Sequence, residues 1–133
     1  MIRRSIFAIA LIAGNANAQT VLQAHEFDGD WTFGDPSACV IGHGDVANFA
    51  FRISNATLEG VESSCVMENP VAVRGMSAVL FDMNCQGEGE TWTNRALFMH
   101  DFEGRLIYLS DGIARTLTRC TNSNAQAPQG ASK

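Results

Sequence analysis

The chain has 133 residues, four cysteines and a formal charge of −5, from nine basic and 14 acidic side chains. That length builds one small domain with a limited core. The acidic balance argues against nucleic acid and anionic membrane surfaces as partners and would attract a basic one.

Residues 1–18, MIRRSIFAIALIAGNANA, have the three-part pattern of a secretory signal peptide. Arg3 and Arg4 supply the positive region, residues 6–13 the apolar run, and Ala16-Asn17-Ala18 the small residues around a cleavage point. The run is shorter than the roughly 20 residues that span a bilayer. No cysteine stands at the cleavage point, so no lipid anchor is indicated. The expected mature chain starts at Gln19, has no membrane span, and is periplasmic or secreted. With two arginines removed it carries seven basic and 14 acidic side chains, a formal charge of −7.

Residues 19–30, QTVLQAHEFDGD, are a lead-in without a clear periodicity. Glu26, Asp28 and Asp30 alternate there as in a loop for a hard cation, but the other ligands of an EF-hand are missing. A first strand is expected around 30–41, broken at Pro36. NFAFRIS (48–54) alternates, with Phe49, Phe51 and Ile53 on one face. A turn at Ser54-Asn55 separates a strand over 47–53 from one over 56–62. Strands over 65–73 and 78–86 flank Gly75. In VLFDMNC (79–85), Val79, Phe81, Met83 and Cys85 share the inward face. Gly87-Glu88-Gly89 connects to a strand over 90–99, where Trp92 is expected in the core with a partner for its indole N–H. RLIYLS (105–110) lies between turns at Glu103-Gly104 and Asp111-Gly112, the latter a strong two-residue hairpin signal. IARTLTRC (113–120) sets Ile113, Arg115, Leu117 and Arg119 against Ala114, Thr116, Thr118 and Cys120, without showing which set is buried.

About eight consecutive antiparallel strands with no long crossover make an all-β meander, which closes most easily into an up-and-down barrel. The domain is expected over 19–121, followed by a disordered tail over 122–133 that has no apolar residue larger than alanine. Four cysteines in a small exported chain predict two disulfides. Zinc is disfavoured, because no two cysteines form a Cys-x2-Cys half-site. If Gly75 centres a hairpin, paired residue numbers sum to 150, as those of Cys65 and Cys85 do. Direct cross-strand neighbours lie within disulfide reach. The remaining pair, Cys39 and Cys120, would join the first strand to the last.

Trp31 followed by Cys39, the strand GVESSC, the hairpin RGMSAV, CQGEGETW and the terminal LTRC together resemble a group of small exported bacterial β-proteins over most of residues 29–120. That resemblance implies export and a compact β fold and brings no activity with it. A weaker similarity runs to the β-barrel inhibitors of C-type lysozyme, which also tie an early strand to a cysteine near the C-terminus. Their inhibitory loops carry a Ser-Gly-x-x-Tyr-like motif; the single tyrosine here, Tyr108, follows Arg105-Leu106-Ile107.

Candidate chemistry is sparse. Glu88 and Glu90 offer two carboxylates, yet glycines flank Glu88 and place it in an open turn, where a carboxylate stays ionised and makes a poor acid. His43 with Asp45, and His100 with Asp101, set an imidazole near a carboxylate. No nucleophile elbow or phosphate loop is present. These residues predict a non-enzymatic binding module, a monomer needing no cofactor. It would recognise a protein or small ligand through barrel-end loops, namely Glu88 and Glu90 in the 87–90 turn and His43 and Asp45 in the 42–46 loop. Eight short strands leave an interior that side chains nearly fill, so a large cavity is not expected. The alternatives are an inhibitor of an extracytoplasmic hydrolase, or a small enzyme using Glu62, Glu88 or Glu90 with a histidine.

Overall fold

The computed structural model describes residues 20, 21, 23–42 and 49–121. The signal peptide read from residues 1–18, the tail over 122–133, and His43 and Asp45 lie outside the described residues. Among these, a 3-10 turn (His25–Phe27) precedes β1 (Gly29–Thr32), β2 (Val40–Ile41), β3 (Phe49–Ser54), β4 (Thr57–Glu59), β5 (Ser63–Ala72), β6 (Ala78–Gly87), β7 (Glu90–His100), β8 (Leu106–Ser110) and β9 (Ile113–Arg119). Each strand from β3 to β9 pairs antiparallel with the next, β9 pairs with β1, and β1 pairs back with β3. Eight strands thus form a closed antiparallel barrel, with β2 as one extra strand. Closure leaves no long unpaired edge for another chain to extend.

The expected first strand over 30–41 is two pieces. Pro36 has no N–H to give to a ladder, and Asp35 caps a turn through Ser37 N at 2.8 Å. The chain re-enters as β2, parallel to β3, with Val40 opposite Phe49. The Ser54-Asn55 turn lies one residue later, at Asn55-Ala56, where φ is 49° and 57°. Asparagine accepts that left-handed geometry readily; Ala56 is held in it because its methyl is buried and its carbonyl accepts from Met67 N at 2.8 Å. The other hairpins fall where expected, with Glu88-Gly89 and Asp111-Gly112 as two-residue loops. Gly87 permits a close approach: a Cβ there would meet the Glu62 carbonyl at 2.6 Å.

Cys65 faces Cys85 in the β5–β6 register and the two are bonded, as are Cys39 and Cys120. The register sum of 150 holds from Ser63↔Gly87 to Glu68↔Asp82 and becomes 151 at Val71↔Leu80. A bulge at Asn69-Pro70 makes the shift: proline cannot donate, and Asn69 sits at φ 47°.

Inward residues fill one half of the barrel. Phe81, Phe98 and Trp31 are fully buried, and the Phe81 and Phe98 rings meet edge to face at 5.8 Å. The 3-10 turn plugs this end. Phe27 lies 6.2 Å from Phe81 and 5.6 Å from Phe98, and its carbonyl accepts from Trp31 Nε1 at 2.9 Å. Arg119, itself exposed, shares the Trp31 face at this end, its guanidinium 4.4 Å from the Trp31 ring and 3.1 Å from the Asp28 carbonyl. Gly29 has φ 149°, a conformation that side chains rarely adopt, and a Cβ there would displace the Arg119 guanidinium, whose Nη1 would lie 2.2 Å away. The IARTLTRC ambiguity is thereby resolved: Arg115, Leu117 and Arg119 share the inward face.

Outside, Asp82 accepts from Asn69 Nδ2 at 3.0 Å and from Arg95 Nε at 2.9 Å. Those bonds, Asn69 first and Arg95 second, hold its carboxyl below the ordinary 3.8. A carboxyl depressed in the folded state stabilises fully above its unfolded value, and that stabilisation is lost as pH falls through the folded value. Unfolding midpoints measured from pH 5 downward should therefore drop below about pH 4. The Asp82→Asn variant should show a shallower drop over the same window; an identical slope would remove Asp82 from the acid response.

Candidate functional site

Among the described residues, the opposite end of the barrel is open. A cup of about 470 Å³ descends from the mouth. Its depth follows from register: Phe33 and Phe49 continue inward positions of the first wall, Ile113 opens β9, and Trp92 continues the inward face of β7 beyond the barrel rim. Phe33, Trp92 and Ile113 are 44%, 43% and 46% exposed, unusual for large apolar side chains on an inward face. Phe33 and Phe49 stack at 4.9 Å, and Phe51 follows at 6.3 Å from Phe49. Met83, Leu117 and the Cys65–Cys85 disulfide border the floor.

The cup differs from a filled barrel because the plug is one-sided. Phe27 supplies ring volume to the closed end, whereas no described segment enters the mouth. Trp92 is correspondingly not the core residue expected from its pattern. Alternation places it on the inward side, but it stands above the packed layers, facing Cys85 in register.

Polar groups converge on one wall. Asn94 Nδ2 donates to Ser110 Oγ at 2.6 Å, and Ser110 Oγ lies 3.4 Å from the Arg95 carbonyl. Tyr108 and Arg115 are direct cross-strand neighbours on β8 and β9, and both border the cup. Arg115 lies 6.0 Å from the Phe33 ring centre and donates to the Ala114 carbonyl at 3.1 Å. Asp111 is at the rim.

The residues singled out from sequence are not brought together. Glu88 occupies the tip of the β6–β7 turn at φ 49°, exposed. Glu90, also exposed, begins β7 and borders a shallow depression with Glu62, Ser63 and Ser64. His25 and His100 belong to the closed end: His25 contacts Asp28, while His100 packs 5.5 Å from Phe27 and donates from Nε2 to the Glu26 carbonyl at 3.0 Å. The glutamates and the described histidines therefore lie at opposite ends. Of the acidic series over 26–30, Asp28 contacts His25 and Asp30 pairs with Arg52 at 2.7 Å. Among the described residues no group of three or more His, Cys, Asp or Glu side chains is placed to hold a metal. No described helix is long and apolar enough to cross a membrane.

Compared with protein-family models, with curated proteins and with solved structures, the chain matches none.

Proposed function

We infer that this protein is an extracytoplasmic, non-enzymatic binding module that takes an apolar group of a small ligand into the open end of its barrel. The observation that carries this reading is the 470 Å³ cup with exposed Phe33, Trp92 and Ile113 at its mouth. Its size lies within the roughly 300–1,000 Å³ of small-molecule sites, which are apolar concavities with a few fixed polar groups. Full burial of such a side chain is worth about 1.5–3 kcal/mol; at 43–46% exposure roughly half of that remains for a covering ligand to recover. Two disulfides suit an oxidising compartment outside the cytoplasm. The acidic turn at Glu88 and Glu90 becomes a secondary contact.

The neutral fluorophore N-phenyl-1-naphthylamine tests this with the mature, oxidised protein. Saturable fluorescence enhancement is expected. Trp92→Ala should weaken it about tenfold, the equivalent of roughly 1.4 kcal/mol, with little change in thermal stability because Trp92 is half exposed. Absence of saturable binding, or binding indifferent to Trp92, contradicts the reading.

A further inference from the structure

Resting on that reading of the cup, we propose that its ligand is an acidic amphiphile, an acyl chain or ring carrying a carboxylate or similar anion, with the anion held between Arg115 and Tyr108.

The cup has two unlike walls. In barrel order, β8 and β9 stand across from β4 and β5. The first pair presents Tyr108 and Arg115; the second presents Leu58 and Cys65, themselves cross-strand neighbours. A ligand spanning the cup therefore meets donors on one side and apolar surface on the other. Arg115 is the arginine that lines the cup, and it differs from the three described arginines that pair with carboxylates. Arg52 pairs with Asp30, Arg95 with Asp82, and Arg105 with Asp101 and Glu103. Arg115 forms no ion pair among the described residues, and its guanidinium donates to the adjacent Ala114 carbonyl. The Tyr108 hydroxyl likewise has no hydrogen-bond partner among the described residues, although its ring is packed at 5.3 Å against Phe98. A guanidinium and a phenol from direct cross-strand neighbours, both lining the cup, are donors of the kind that hold a carboxylate. The Phe33 ring lies 6.0 Å from the guanidinium and brings no counter-charge to it. Asp111 at the rim opposes an anion through its charge, which makes the sign of the ligand a sharp question and sets the alternative: a basic amphiphile seated toward Asp111.

The experiment displaces N-phenyl-1-naphthylamine from the mature protein with decanoate, 1-decanol and decylamine, three ligands of equal chain length and different charge. Decanoate should compete at least about tenfold more strongly than decanol, the magnitude of one charge-assisted hydrogen bond. Arg115→Gln should abolish that preference while leaving the affinities for the fluorophore and for decanol within about twofold. Tyr108→Phe should reduce it about threefold, and Arg95→Gln, outside the barrel, should leave it intact. Equal competition by decanoate and decanol, stronger competition by decylamine, or a preference that survives Arg115→Gln overturns the acidic ligand but keeps the cup as a binding site. Failure of the fluorophore itself to bind overturns both.

Discussion

Replacing Cys39 and Cys120 together by serine should lower the unfolding free energy by about 4 kcal/mol, and the melting temperature by on the order of 20 °C. The bond spans 81 residues, and its loss returns the corresponding loop entropy to the unfolded chain. It also acts where the barrel is weakest. β1 pairs with β9 through only two residue pairs, Trp31↔Arg119 and Thr32↔Thr118, whereas β6 and β7 share ten. Cys120 N donates to the Asp30 carbonyl at 2.9 Å, and the disulfide fastens the same junction. The Cys65→Ser, Cys85→Ser pair should cost less, about 3 kcal/mol, because that bond closes 20 residues within a long hairpin already held by its ladder. Calorimetry of both double variants gives the order; equal losses, or a larger loss for the hairpin pair, would mean the seam does not depend on its bond.

Phe27→Ala should cost about 3–5 kcal/mol, as much as deleting a ring from the middle of a strand-built core. Phe27 belongs to no strand, yet it is 1% exposed and caps Phe81, Phe98 and His100. Truncation would leave a cavity at the closed end and loosen the carbonyl that accepts from Trp31 Nε1. The urea midpoint should fall with an unchanged m value, and the emission of Trp31 should shift to the red. Phe102→Ala makes the control, because that ring is fully exposed in the β7–β8 turn and its removal should change stability by less than about 0.5 kcal/mol. A small effect at Phe27 would show that the 3-10 turn lies on the barrel rather than in it.

These two results bear on why the fold was more legible than the site. The Cys65–Cys85 pairing agrees with a sum of 150 about Gly75, but the turn alone does not set it. Next to the turn the residue numbers sum to 151, which would place Cys65 opposite Gln86, and the Asn69-Pro70 bulge takes up one residue and brings Cys65 opposite Cys85. Alternation likewise identified the inward faces of 49–53 and 79–85. It reports a face, however, and not a height along the barrel. Trp92 has the parity of a core residue and stands at the rim, a distinction set by how far β7 extends past β8, whose pairing ends at Ala96↔Ser110.

The cup is less legible still. Phe33, Phe49, Leu58, Trp92 and Ile113 meet only after several registers and the closure of β1 on β3 have been combined. Its vacancy depends on a plug from residues 24–27 entering the opposite end. The inward parity of Leu117 was available in the alternation of 113–120, but nothing local separated it from the parity of Ala114 and Thr118. Knowing that β9 pairs with β1, where Trp31 faces inward, decides it and brings Arg115 into the cup. The acidic turn drew attention because Glu88 and Glu90 stand out in sequence; tight-turn geometry and exposure give them no shared pocket with a histidine.

Amide and indole resonances followed during titration of the isotopically labelled mature protein with decanoate test the open end most directly as the binding site. Saturable shifts are predicted at Phe33, Phe49, Leu58, Ile113 and the Trp92 indole, with Phe27, Trp31 and Phe81 unmoved. Shifts confined to the Glu88 turn or the closed end, or none at saturating ligand, would contradict a ligand seated in the cup.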